Sequence, residues 1–139
     1  MDRFARAFIV ASLIYSVIGA FLGVCMAWPS PSRAQWVYYL LPSHTHINLI
    51  GWVSMMIYGV SYHVIPRFSG RPIYSRKLAW LHFILSQAGL IGMAISFPFE
   101  RMGSSAGSLG LAGSGILMFT SILLFAFNML MTMKPEAAS

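Results

Sequence analysis

Four long apolar runs constrain this chain more than any other feature of its sequence. They cover residues 4–28, 44–65, 78–97 and 108–133, and each reaches the roughly 20 residues that a helix needs to cross the hydrocarbon core of a membrane. Backbone groups in lipid must be hydrogen-bonded within their own segment, so the runs are predicted to be helices. Only 9% of the residues are charged, against about 25% in soluble domains. We therefore predict a single domain over residues 1–139, an all-α membrane protein folded as a four-transmembrane-helix bundle.

The basic residues predict how these helices are oriented. Nine Lys and Arg side chains give the chain a net charge of +6, and only Arg33 and Arg101 fall in the first loop (residues 29–43) and the third loop. The positive-inside rule then places both termini and the second loop in the cytoplasm. The first run is too long for the apolar core of a signal peptide, so we expect a retained helix in the inner (cytoplasmic) membrane. Lipid is the expected surrounding, and the charge pattern gives no indication of nucleic acid binding.

The chemistry of the chain is expected to lie with its histidines. The sequence has no catalytic triad, phosphate-binding loop or paired carboxylates, and no Asp or Glu falls deep inside a predicted helix. No catalytic residue is therefore assigned. Ionisable side chains inside a membrane are costly and often functional, and the candidate metal ligands are His44, His46, His63 and His82. The alternative is that these side chains bind only water and backbone carbonyls near the membrane surface.

His44 has the best placement for a haem ligand. It begins the second predicted helix on the outer side, and Gly51 follows two turns later on the same face, where the missing side chain would let a flat macrocycle approach the backbone. A neutral imidazole ligates haem iron, and its second nitrogen usually needs an acceptor. His46 points about 200° away, so one helix cannot offer both histidines to one iron. We expect a cofactor site that includes His44, His46 and Gly51, with Arg33 or Arg101, the only basic residues on the outer side, pairing a haem propionate.

His63 and His82 lie towards the cytoplasmic end, and His63 is about 28 Å from His44 along a helix. A hairpin could bring this pair together as a second haem or metal site. In the alternative, His63 lies at a helix C-terminus, where its positive charge would interact favourably with the helix dipole, and His82 lies among interfacial aromatic residues. Methionines near the first histidine pair leave copper open as a metal, although methionine is also an ordinary filler of membrane helices.

The stretch His44-Thr45-His46-Ile47-Asn48-Leu49-Ile50-Gly51-Trp52, continued by Tyr62-His63-Val64-Ile65-Pro66-Arg67, resembles the second transmembrane helix of haem-copper oxidase subunit I. The likeness is strongest to the cbb-type oxidases and nitric oxide reductases, and Trp80 to Gly92 resembles the next helix. The resemblance implies that His44 ligates a low-spin haem b. The family has many more helices, and the helix with the second low-spin ligand and the histidines of the binuclear centre have no counterpart here. We therefore lean towards a haem protein that is not itself an oxidase.

These observations lead to one main hypothesis of function and to alternatives. The main hypothesis is a haem b-binding membrane protein that transfers electrons or binds a small gas (nitric oxide or oxygen), with a quinol or a cytochrome as electron partner. A homo-oligomer could supply the missing iron ligand, with close packing at Gly19 and Gly23 or at glycines 110, 113 and 115; the same glycines could equally serve packing inside one chain. The alternatives are a copper-binding or accessory (assembly) subunit of a respiratory oxidase without its own haem, and a structural membrane subunit without a cofactor.

Overall fold

The computed structural model describes residues 1–134, and its architecture is four helices in an antiparallel series. We number them α1 (Arg3–Ala27), α2 (Arg33–Phe68), α3 (Arg76–Arg101) and α4 (Ser105–Met133). All four are long and apolar enough to cross a membrane, and the described residues contain no strand. The prediction of an all-α bundle with four membrane-spanning helices is confirmed.

Helix α2 begins at Arg33, whereas the sequence predicted a loop up to Ser43 and a helix from His44. The expectation rested on Pro42, which has no backbone N–H and would leave the carbonyl of Tyr38 without its helical donor. In the structure Arg101 supplies the replacement, because its Nη1 donates to the Tyr38 oxygen at 2.9 Å. Its guanidinium also lies 4.6 Å from the centre of the Tyr38 ring. A side chain from α3 therefore allows α2 to continue through its proline.

A second irregularity of α2 follows directly after the histidine pair. The helix is α-helical over Arg33–His46, π-helical over Ile47–Ser54 and α-helical again over Met55–Phe68. The Ser54 hydroxyl donates to the Leu49 carbonyl at 2.9 Å, five residues earlier in the chain. Short π-helical segments inside α-helices are rare and are frequent at functional sites. The π-helical segment thus contains Gly51 and follows directly after His44 and His46, the residues for which the sequence predicts a function.

The helices pack as a thin bundle in which each one contacts its neighbours in sequence. Helices α3 and α4 approach most closely, and a Cβ atom built on Gly89 would lie only 2.9 Å from the backbone nitrogen of Met118. Helix α1 lies along α2, and within the described residues α1 and α4 have no close backbone contact. Many large apolar side chains therefore stay exposed along the outside of the bundle, as expected for a surface that faces lipid.

The loop between α2 and α3 is tied to α4 by buried polar side chains. Asn128 accepts from the backbone nitrogen of Ser75 at 3.0 Å and donates to its carbonyl at 2.9 Å. Asp2 forms an ion pair with Arg76 at 3.3 Å, and Arg71 donates to the carbonyl of Lys134. The N-terminal end of α1, this loop and the end of α4 thus lie at one end of the bundle, where most of the basic residues are found.

Candidate functional site

His44 is half-buried where α2 meets α1. Its Nδ1 lies 3.0 Å from the carbonyl oxygen of Gly19. Because a carbonyl can only accept, Nδ1 carries the proton, and the Nε2 atom keeps its lone pair. This is the tautomer that a metal-ligating imidazole requires, with the non-ligating nitrogen held by an acceptor.

Asn48, one turn after His44, completes this arrangement. Its Nδ2 donates to the His44 carbonyl at 2.8 Å and lies 3.3 Å from the His44 Nδ1. A Cβ atom on Gly19 would lie 2.5 Å from the Oδ1 of Asn48, and one on Gly23 would lie 3.2 Å from the Cε1 of His44. The two glycines of α1 are therefore used inside the chain, where they make room for His44 and Asn48. The sequence analysis had noted both glycines as a helix-packing pair but had not connected them with the histidine.

An apolar groove lies between α1 and the part of α2 that precedes His44. It has a volume of about 640 Å³, which lies within the usual range of ligand pockets. Arg33 stands at its rim and donates through Nε to the carbonyl of Met26 at 3.2 Å. His44 follows one turn after Leu40, a groove residue of α2. The groove is lined by Phe21, Leu22, Val24, Cys25, Trp28, Ser30, Arg33, Trp36 and Leu40.

His46 faces the other side of α2. Its Nδ1 donates to the carbonyl of Pro42 at 2.9 Å, and its ring lies 4.6 Å from the ring of Phe97 on α3. The two histidines thus contact different helices, α1 for His44 and α3 for His46. This divergence agrees with the angle expected from their spacing, and one helix does not offer both side chains to one ion.

Gly51 does not face an open space. A Cβ atom at this position would lie 2.8 Å from Cγ of Tyr15 and 2.9 Å from Cδ2 of Leu90. The missing side chain is used for packing against α1 and α3, and the face of α2 below His44 is filled by protein. The role of Gly51 beside a haem stays a prediction. The sequence spacing places Gly51 two turns after His44 on one face of α2, but it does not tell which neighbouring helix packs against that face.

His82 is fully buried within an aromatic cluster. Its Nδ1 shares a hydrogen bond of 2.9 Å with the Tyr62 hydroxyl, and its ring centre lies 4.7 Å from those of Phe8 and Tyr58. Among the described residues its Nε2 has no hydrogen-bond partner. The ring therefore lies in the aromatic core of the bundle, whereas the alternative had expected interfacial aromatic residues around it.

His63 lies apart from this cluster, at the end of α2, where its Nδ1 accepts from Nη1 of Arg67 at 2.8 Å. The four histidines thus occupy separate environments. Over residues 1–134 no three His, Cys, Asp or Glu side chains come together in a group that could hold a metal ion.

Comparison with known proteins assigns the family. Residues 3–105 match the family described as cytochrome c and quinol oxidase polypeptide I. Among curated proteins, the chain is 31% identical over 85 residues to the cbb3-type cytochrome c oxidase subunit CcoN1 of Stutzerimonas stutzeri, which is 60% of this chain and 18% of that protein. It is 30% identical over 90 residues to the haem-copper oxidase subunit I+III of Aeropyrum pernix, which is 65% of this chain and 11% of that protein. It is 39% identical over 49 residues to cytochrome c oxidase subunit 1 of Rhodobacter capsulatus, which is 34% of this chain and 9% of that protein.

The aligned segments thus span less than a fifth of each of these relatives. No solved structure is significantly similar to the chain. The four membrane-spanning helices and the oxidase relatives together make this a multi-pass membrane protein, and the resemblance found in the sequence is confirmed. Since the family match covers residues 3–105 of 139, the chain belongs to the cytochrome c and quinol oxidase polypeptide I family.

Proposed function

We propose that this chain binds haem b through Nε2 of His44 and serves in membrane electron transfer or in the binding of nitric oxide or oxygen. One observation carries the proposal: Nδ1 of His44 is held by the Gly19 carbonyl, which leaves the lone pair of Nε2 available, on a helix whose preceding turn lines an apolar groove with Leu40. The relatives support it as well, since two of them are named as cytochrome c oxidase subunits and one as a haem-copper oxidase subunit.

The residues around His44 fit the needs of a haem. The macrocycle requires an apolar cleft, and apart from Ser30 and Arg33 the groove is lined by apolar and aromatic side chains. Its propionates require a positive charge, which Arg33 offers at the rim. When bound, haem b supplies one-electron transfer and, with an open coordination position, the binding of a diatomic gas. The chain contributes the ligand nitrogen, the Gly19 carbonyl that holds the imidazole, and an apolar groove wall that includes Trp28 and Trp36.

We include a homo-oligomer in the proposal because the haem iron would need a second protein ligand for electron transfer. His46 faces α3, so α2 offers only one histidine on the side of the groove. A second copy can supply the missing ligand, and a closed symmetric assembly is the usual form of such a contact. Helix α4 has room for a close partner, because a Cβ atom on Gly113 or Gly115 would meet no described atom within 4 Å. A quinol or a cytochrome is the proposed electron partner.

The deciding experiment is the visible spectrum of the purified protein, oxidised and reduced, with three single variants. We expect a Soret band in the wild type and in His63→Ala, and its loss or strong reduction in His44→Ala. His46→Ala should keep the band if that side chain does not ligate the haem. A wild type without a Soret band, or a His44→Ala variant with an unchanged spectrum, contradicts the proposal. Stoichiometric copper without haem in a metal analysis would favour the copper-binding alternative instead.

The proposed location is the inner membrane, with the N-terminus and the loop between α2 and α3 in the cytoplasm. The basic residues at this end of the bundle support that orientation through the positive-inside rule. In a Cys25→Ser background, Ser69→Cys should react with a membrane-impermeant maleimide only after the cells are opened. Ser30→Cys, in the loop before α2, should react in cells whose outer envelope alone is permeabilised. The reverse pattern would overturn the orientation and leave the haem proposal standing.

A further inference from the structure

A second groove lies between α1 and α3 at the end of the bundle that carries Asp2. It has a volume of about 440 Å³ and is distinct from the groove beside His44. Its apolar part is formed by Ala7, Val10, Ala11 and Ile14 of α1 and by Trp80 and Phe83 of α3. The two alanines give the groove its depth, since larger side chains at these positions would fill it.

The wall on α3 is held in place by aromatic packing. The Trp80 ring lies edge-on to Phe83 at 5.9 Å and to Phe4 at 6.5 Å between ring centres. Trp80 is nevertheless 39% exposed, so one side of its ring faces the groove and the surroundings. The aromatic packing thus fixes this wall of the groove, and Trp80 lies in the first two turns of α3, where aromatic residues of membrane helices often meet lipid headgroups.

Two unneutralised arginines close the groove at its polar end. Arg3 and Arg6 both line it and are exposed, and within the described residues neither guanidinium has a hydrogen bond or an ion pair. Arg76 and Arg67 differ in this respect, because Arg76 pairs with Asp2 and Arg67 contacts His63. An occupant of the groove thus meets two positive charges at one end and hydrocarbon along the rest.

The length of the apolar surface matches one lipid tail. From Arg6 to Ile14 the helix rises about 12 Å, and the exposed apolar surface continues through Val17 to Ile18, about 18 Å from Arg6. One leaflet contributes about half of a hydrocarbon core that is roughly 30 Å thick. A phospholipid with its phosphate at the two arginines would therefore run its acyl chain along the whole groove.

We infer that the groove between α1 and α3 binds one anionic phospholipid, with the phosphate at Arg3 and Arg6 and an acyl chain along Ala7, Ala11 and Trp80. Charge complementarity selects this occupant over a neutral quinone, whose headgroup gains nothing from two guanidinium groups. It also selects against a second copy of this face, since two such ends would bring four like charges together. The inference does not depend on haem binding at His44.

Trp80 reports directly on the occupant. The protein is reconstituted into bilayers that contain a small fraction of dibrominated phosphatidylglycerol or dibrominated phosphatidylcholine, and tryptophan quenching is measured. The Trp80→Phe variant isolates the signal of this residue from that of the other tryptophans. We expect the anionic lipid to quench Trp80 at several-fold lower mole fraction than the neutral one. The preference should weaken about fivefold for each arginine removed.

Matched variants separate the groove from general charge. Arg3→Gln with Arg6→Gln should abolish the preference, whereas Arg67→Gln with Lys77→Gln removes the same charge at the same end and should retain it. Ala11→Phe should reduce quenching by both lipids, because it fills the groove. Equal loss in the control pair overturns the inference, as does a preference that survives in the arginine pair. Displacement by excess glycerol phosphate would show a simple anion site, and quenching by neither lipid would show that no phospholipid occupies the groove; both results overturn the inference.

Discussion

Replacing Gly19 by alanine is the sharpest perturbation of the arrangement around His44. The new Cβ atom would lie 2.5 Å from Oδ1 and 2.6 Å from Nδ2 of Asn48. Contacts this close force the amide to move, which breaks its 2.8 Å bond to the His44 carbonyl and disturbs the Gly19 carbonyl that holds Nδ1. The matched control is Gly113→Ala on α4, where the added atom meets nothing within 4 Å.

The expected magnitudes follow from the interactions that are lost. A side-chain hydrogen bond inside a membrane contributes about 0.6 kcal/mol on average and up to about 1.7 kcal/mol. Both variants gain a similar amount from exchanging glycine for alanine in a helix, so that term cancels in the comparison. Gly19→Ala should therefore be about 1–2 kcal/mol less stable than Gly113→Ala. Loss of a group that orients a ligand typically weakens metal binding by 10–100-fold, and the same loss of haem affinity is expected here.

Two assays separate these effects. Thermal or denaturant unfolding in detergent measures the stability difference, and a haem titration followed at the Soret band measures affinity. Gly23→Ala should fall between the other two variants, because its Cβ atom would lie 3.2 Å from Cε1 of His44. If Gly19→Ala takes up haem as tightly as Gly113→Ala, the carbonyl of Gly19 does not orient the ligand. The stability comparison tests the packing even in a protein that binds no haem.

Two further pairs of substitutions test the interior of the bundle. Tyr62→Phe should destabilise the protein by about 1 kcal/mol, because it leaves both ring nitrogens of buried His82 unpaired. His82→Phe should destabilise it less, since this change also removes the unpaired Nε2. A double-mutant cycle without coupling would refute the hydrogen bond, and a changed haem spectrum in His82→Phe would indicate that His82 is a ligand. Arg101→Gln should cost about 1 kcal/mol by freeing the Tyr38 carbonyl. The loss should be smaller in a Pro42→Ala background, where the backbone supplies its own donor, and equal losses in both backgrounds would contradict this account.

The spans of the helices could be predicted because hydrophobic length is a local property of the sequence. The start of α2 could not, since Pro42 normally interrupts a helix and its compensation comes from Arg101, 59 residues later in the chain. The π-helical segment has no sequence rule as simple as an apolar run. Within this segment, Gly51 packs against Tyr15 of α1 and Leu90 of α3, and neither contact can be predicted from the sequence.

The candidate site was predicted in part for the same reason. Spacing along one helix placed His44 and His46 on different sides of α2, and the structure agrees. Spacing does not tell which neighbour packs against a face, so the contacts of Tyr15 and Leu90 with Gly51 could not be predicted. The position of Asn48 one turn after His44 was the available signal for its role. The carbonyl of Gly19 left no signal in the sequence, because a backbone acceptor can belong to any residue type.

The π-helical turn of α2 has a consequence for how this helix can change during evolution. Each residue of an α-helix advances the chain by about 100° around the axis, so a single insertion or deletion rotates everything beyond it. The wide segment at residues 47–54 separates the histidine-bearing end of α2 from the end with Tyr62. Lengthening or shortening this segment by one residue would turn the two ends relative to each other without altering the contacts within either. A change of length in this segment would thus turn the histidine-bearing end of α2, while the buried Tyr62 end keeps its contacts.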